Sequence, residues 1–391
     1  MPRSYAMTAT LPPVAPAPPL IDPPFGCLPL GDLLRRYEHM GEPLACRPLA
    51  QGLLNRGYRL TTTHGTYFLK HHLDGDRDSI TRQHRVTRRL QALGVPVVPA
   101  VQDTEGGTVA VVDGHCYALH PWVDGRHRTG AQLTPAASWQ LGSLLGVVHT
   151  CLEEVMRPAP HRPGHGTARV GAQGGPPEDL HDDWHDGLHE GPLDRPLDGA
   201  HDSAAPADTF ALIDELLALV RRRAPGDGFD SLAEHRLLER RALVERHAHH
   251  RPPPGAETPI GWVHGDFHPL NLLYRGTDPA AIVDWDRLAV QPRAEEVVRA
   301  AAIFFVQPSG ELDLVKVRAY ARAYRLTTGA GAAELAAAVH RVWWERLNDF
   351  WILRWRYQLD DRRADPQFPA VSALVVWWTR RYEEVCGAFA G

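Results

Sequence analysis

Cysteine is scarce in this chain of 391 residues. There are 5, an odd number, and Cys27, Cys46, Cys116, Cys151 and Cys386 include no Cys-x-x-Cys pair. That spacing excludes a disulfide framework and a structural zinc ribbon, and makes a reducing compartment, the cytoplasm, the expected location. Long apolar runs are also lacking. Stretches such as Ala300–Val306 reach about seven residues, where a membrane span needs roughly 20. There is no excess of positive charge: the formal net charge is -5, which argues against a general nucleic-acid partner. No basic start followed by a compact apolar stretch marks a secretory signal. Lysine is rare beside arginine, so each lysine draws notice.

Proline and glycine, by contrast, are plentiful, at 34 each. They gather in two places. Residues 1–28 form a Pro/Ala-rich tail and residues 157–206 a Gly/Pro/His/Asp-rich insertion, and neither holds enough aliphatic side chains to offset the entropy of ordering. Both are expected to be disordered. His181, His185 and His189 in the insertion recur at helical spacing that could bind a metal, but a composition-biased loop explains them as well.

The remainder divides in two. Residues 29–122 read as a small α+β lobe. Leu44–Gln51, Gly57–Thr63 and Thr66–His72 are strand-like, Asp76–Leu93 is a helix closed by Gly94, and extended segments follow to Leu119. An antiparallel sheet with one helix after the third strand is expected. Residues 123–391 read as mainly helical, opened by Thr134 as cap and Pro135 in the first turn. The exception is a short stretch around Val263–Asp286.

That stretch carries the chemistry. It runs His264-Gly265-Asp266-Phe267-His268-Pro269-Leu270-Asn271, then Ile282-Val283-Asp284-Trp285-Asp286. A carboxylate, an amide and a second carboxylate at these intervals suit phosphoryl transfer. Asp266 accepts or orients a hydroxyl proton, while Asn271 and Asp284 are hard oxygen ligands for Mg2+ on nucleotide phosphates. Lys70, closing the third strand, supplies a cation for those phosphates. Two other readings use the same residues. In a metallohydrolase His264, Asp266, His268, Asp284 and Asp286 would ligate a metal. In a catalytically weak module ATP would bind without turnover.

Together with Gly52–Arg59 and Pro121-Trp122-Val123-Asp124-Gly125, these motifs resemble the aminoglycoside phosphotransferase family, which includes choline kinases. The resemblance implies a bilobal protein-kinase-like fold and an ATP- and Mg2+-dependent transferase acting on a small molecule. It implies that Gly52 and Asn55 lie in the turn over the phosphates, and that Pro121 and Val123 lie in a hinge meeting adenine. His264 would be structural, and Asp286 would orient the loop or touch substrate. Gln83 stands where an acidic partner of Lys70 is expected, so Gln83→Glu would be expected to improve catalysis. For the acceptor, Glu345, Asp349 and Asp360 among the C-terminal tryptophans suggest an amine-bearing alcohol, with an aminoglycoside, an amino alcohol and a homoserine-like amino acid all open.

Overall fold

The computed structural model describes residues 30–49, 55–73, 76–157, 203–223, 226–253 and 259–391. The Pro/Ala-rich tail, Gly52 and nearly all of the insertion, including its three spaced histidines, lie outside the described residues. The chain forms two units, residues 1–74 with 101–119, and residues 75–100 with 120–391.

In the first unit a five-stranded sheet has the order β1-β2-β3-β5-β4. Its strands are β1 (Pro43–Pro48), β2 (Arg56–Thr62), β3 (Thr66–His72), β4 (Ala110–Val112) and β5 (His115–Pro121). β2 and β3 are antiparallel, with Tyr58 opposite Leu69 and Gly57 opposite Lys70. Period-two alternation sends Leu69 to one face and Lys70 to the other. On the Leu69 face α1 (Leu30–Leu34) lays Leu30, Leu33 and Leu34 over Leu60, Leu69, Val112 and Leu119. Each such buried leucine contributes about 1.5–3 kcal/mol relative to exposure.

α2 (Arg77–Ala92) begins where expected, because Asp76 Oδ1 accepts the Ser79 N–H at 2.7 Å, and it stops before Gly94 at φ 84°. One boundary differs from expectation. α2 belongs with the larger unit, since Val86 and Leu90 are buried in the same core as Val95, Val97, Leu141 and Leu145.

The larger unit continues with α3 (Pro135–Val155), α4 (Pro206–Arg222) and α5 (Gly228–His247). Four short strands follow: β6 (Ile260–Val263), β7 (Leu272–Arg275), β8 (Asp278–Ile282) and β9 (Ala289–Pro292). Then come α6 (Arg293–Phe304), α7 (Leu314–Thr328), α8 (Ala332–Asn348), α9 (Trp351–Gln358), α10 (Phe368–Arg380) and α11 (Tyr382–Ala390). Thr134 caps α3 by accepting the Ala137 N–H at 3.1 Å. Gly142 lets α3 meet α7, for a Cβ there would sit 2.1 Å from the Tyr320 carbonyl oxygen. β7 and β8 make the expected hairpin, while β6 pairs with β9 in a second two-stranded sheet that the sequence pattern did not suggest. The tryptophans serve mostly as filling: Trp343, Trp344 and Trp378 are buried in the main core. No helix among the described residues is long and apolar enough to cross a membrane.

Candidate functional site

The expected site residues divide between the two units. In the first, Lys70 is buried on the face of β3 opposite the leucine core. Asn55 sits just before β2, and its Oδ1 accepts the Leu73 N–H at 3.1 Å, joining the start of β2 to the end of β3. The chain's other lysine, Lys316, is spent on structure. Its Nζ donates to the Gly130 carbonyl at 3.0 Å and faces Asp313 at 3.3 Å.

In the second unit the loop from His264 to Asn271 links β6 to β7, and Asp284 follows β8. A lattice of hydrogen bonds ties these pieces together. Asn271 Nδ2 donates to the Asp266 carbonyl at 2.8 Å. The Val283 N–H donates to the Asn271 carbonyl at 2.9 Å. His264 Nδ1 accepts the Asp266 N–H at 3.2 Å, so its proton sits on Nε2, which donates to the Val283 carbonyl at 3.1 Å. His264 is wholly buried, and burial lowers its pKa, with nearby Glu296 opposing. The ring is therefore a neutral strut with both nitrogens committed.

Two backbone features mark this region. Gly265 has φ 81°, and a Cβ there would lie 2.1 Å from the Arg287 carbonyl oxygen. Asp284 has φ 62°. A non-glycine residue held there stores about 1–3 kcal/mol, as functional sites often do.

Asp266 is partly exposed, with Oδ2 3.5 Å from His268 Nε2 and 3.9 Å from Arg287 Nε. Burial pushes its pKa up, but the His268 hydrogen bond and the His268 and Arg287 charges more than offset that and hold it below the usual carboxylate range. At neutral pH the group is an anion able to accept a hydroxyl's hydrogen bond.

The sequence reading missed what anchors the loop. Glu296, in the first turn of α6, is buried. Its Oε1 accepts the Gly265 N–H at 2.5 Å, and its Oε2 accepts the His264 N–H at 3.2 Å. The same Oε2 is 2.7 Å from His149 Nε2 on α3, whose Nδ1 lies 3.0 Å from the Tyr324 hydroxyl on α7. Burial would raise the Glu296 pKa, yet the His149 bond and charge, aided by His264 and the Gly265 N–H, keep it below the ordinary value. An acidic pair, Glu295-Glu296, in the first turn of a helix that is mostly apolar after it was the one available signal.

Gln83 has a hydrogen bond that the sequence did not suggest. Its Nε2 donates to the Asp286 carbonyl at 3.2 Å, tying α2 to the stretch after Asp284. A carboxylate cannot donate there. Gln83→Glu should therefore lower stability by about 0.5–1.5 kcal/mol, the net worth of a hydrogen bond. Denaturant midpoints and ATP kinetics will show it; unchanged stability with a faster rate would restore the missing-acid reading.

Beyond Pro121 at the end of β5, the segment through Val123 runs alongside the hairpin. Arg126 and Tyr274 exchange backbone hydrogen bonds of 3.0 Å, and Arg275 Nε donates to the Asp124 carbonyl at 3.0 Å. Of the three carboxylates suggested for substrate, Glu345 is near enough to Asp349 to push its pKa up, and each has a partner of its own. Glu345 Oε2 pairs with Arg299 Nε at 2.7 Å, Asp349 Oδ1 accepts the Trp351 N–H at 3.0 Å, and Asp360 Oδ1 pairs with Arg223 at 3.1 Å.

Comparison with known proteins accords with this geometry. The model of the phosphotransferase enzyme family matches residues 45–335. The fold resembles an amicoumacin kinase in complex with AMP-PNP, Ca2+ and Ami, with 16% identity and a TM-score of 0.53 over 92% of each chain. It also resembles a microcompartment-associated aminopropanol kinase, with 19% identity and a TM-score of 0.54 over 93% of this chain and 99% of that one. A third similar structure is an aminoglycoside phosphotransferase from Alicyclobacillus acidocaldarius, with 14% identity and a TM-score of 0.51 over 91% and 92% of the two chains. No curated protein matches the sequence.

Proposed function

Because the chain belongs to the phosphotransferase enzyme family, we propose that it moves the γ-phosphate of ATP to a hydroxyl of a small molecule. The observation that carries this reading is the hydrogen-bond lattice that makes Asp266, Asn271 and Val283-Asp284 one rigid group. Positioning and electrostatics supply most of the catalysis in phosphoryl transfer, and such a lattice serves both.

In this proposal the acceptor hydroxyl donates to Asp266. Its oxygen attacks the γ-phosphorus as the bond to the β-phosphate oxygen breaks. ADP leaves and the hydroxyl proton ends on Asp266. Lys70 takes the role its motif implies, neutralising nucleotide phosphate charge. The donor set suits Mg2+: with Nδ2 fixed on the Asp266 carbonyl, Asn271 has Oδ1 to offer, and the Asp284 carboxylate would supply a second hard oxygen. When bound, that ion would screen charge on the transferring phosphates. The AMP-PNP and Ca2+ in the amicoumacin kinase are in keeping with nucleotide and divalent-ion use. A cytoplasmic setting, where ATP is plentiful, is part of the same proposal.

The metallohydrolase alternative fits less well. His264 has no lone pair to give a metal, since Nδ1 accepts one bond and Nε2 donates another. Among the described residues no three His, Cys, Asp or Glu side chains form a candidate metal cluster.

The test is transfer of label from γ-labelled ATP, with Mg2+, to a panel of hydroxylated small molecules. Label in an organic product supports the reading. Hydrolysis of substrates without ATP, on addition of a transition metal, contradicts it.

A further inference from the structure

The charges around Asp266 bear on the acceptor, and the inference drawn from them rests on the phosphotransferase reading above. An amine-bearing acceptor would need carboxylates available to its ammonium group. Those the sequence suggested are already engaged: Glu345 with Arg299, Asp360 with Arg223, and Asp349 with the Trp351 N–H and, at 3.9 Å, Arg346. An incoming ammonium would have to share each of them with an arginine.

Beside Asp266 the sign is reversed. Arg287 Nε lies 3.9 Å from Asp266 Oδ2, and its side chain is 57% exposed. The guanidinium has no hydrogen bond shorter than that contact among the described residues. Its backbone is nonetheless firmly seated, because Gly265 packs directly on the Arg287 carbonyl. His268 approaches the same Asp266 oxygen. A planar fork of N–H donors thus stands next to the candidate base. A carboxylate would find a partner of matching shape, because arginine can offer two parallel N–H bonds to it.

We propose that Arg287 recognises a carboxylate of the acceptor, which makes the acceptor class a small hydroxy acid. A hydroxyl in reach of Asp266 and a carboxylate in reach of Arg287 would be about 4–7 Å apart, a separation of about two to four carbons.

The experiment supplies Mg2+ and ATP to the full-length protein with two size-matched panels, hydroxy acids on one side and amino alcohols and aminocyclitols on the other. A phosphorylated hydroxy acid is expected. Arg287→Gln should raise the KM for that acid by about 10–100-fold, the worth of a charged hydrogen bond, and move the KM for ATP far less. Arg287→Lys should recover part of the loss. Product from the amines alone overturns the inference. So does a fall in kcat with the acid KM unchanged, which would put Arg287 on the transferring phosphoryl group. No product from either panel, with Mg2+-dependent ATP binding intact, also overturns it and spares the phosphotransferase reading. Failure to bind ATP at all removes that reading and the inference with it.

Discussion

Asp266→Asn is expected to lower kcat by about 10²–10⁴-fold, the usual range for a group that takes a proton in the transition state. The KM for ATP should move only a few-fold, because an interaction made in the transition state is lost while nucleotide contacts remain. Asparagine keeps the shape that faces His268 and Arg287, so folding should be unaffected. The pH profile carries a second signature. The Asp266 pKa is held below the usual range, so the group stays ionised down through mildly acidic pH. Wild-type activity should therefore show no rise across neutral pH that Asp266 causes. Steady-state kinetics of the two proteins decide this, and an Asn variant at the wild-type rate removes Asp266 from the chemistry.

The second large effect is expected far from any reacting atom. Glu296→Ala removes the acceptor for the His264 and Gly265 N–H groups and leaves buried His149 without its carboxylate. Breaking a buried pair from one side costs about 3–5 kcal/mol, so the denaturation midpoint should fall sharply. Glu296→Gln is the gentler probe, and acid is its readout. The Glu296 pKa in the folded protein lies below its ordinary value of 4.5. A carboxylate so shifted adds stability that is complete above the unfolded value and lost as pH falls through the folded one. Wild type should lose stability more steeply than Glu296→Gln between about pH 5 and pH 3. Parallel acid limbs would mean that Glu296 does not hold the loop as an anion.

These two residues also show where sequence reading works and where it stops. The local structure that carries Asp266, Asn271 and Asp284 was legible because each lies in a short segment whose grammar is visible, a proline-broken loop and then an apolar strand with an acid after it. The cap of α3 was legible for the same reason, since Thr134 acts on an N–H group three residues away. Glu296 was not, because its partners His149 and His264 are 147 and 32 positions distant and no periodicity links them. The hydrogen bond of Gln83 escaped too, because its partner, the Asp286 carbonyl, is a backbone atom 203 residues on. The β6–β9 pairing escaped as well. Each strand has four residues, too few for alternation to stand out. In the aromatic, acid-rich C-terminal helices the sequence could not show that Glu345 and Asp360 pair with Arg299 and Arg223, 46 and 137 positions away.

Calorimetric titration of a non-hydrolysable ATP analogue into wild type and Asp284→Ala, each with and without Mg2+, tests the central claim without knowledge of the acceptor. The account predicts binding by wild type that weakens at least about tenfold when Mg2+ is withheld, the loss of about 1.4 kcal/mol or more. It also predicts that Asp284→Ala binds weakly in both conditions and no longer responds to the ion. Equal affinity in all four titrations would contradict it, for then neither the ion nor Asp284 would hold the nucleotide.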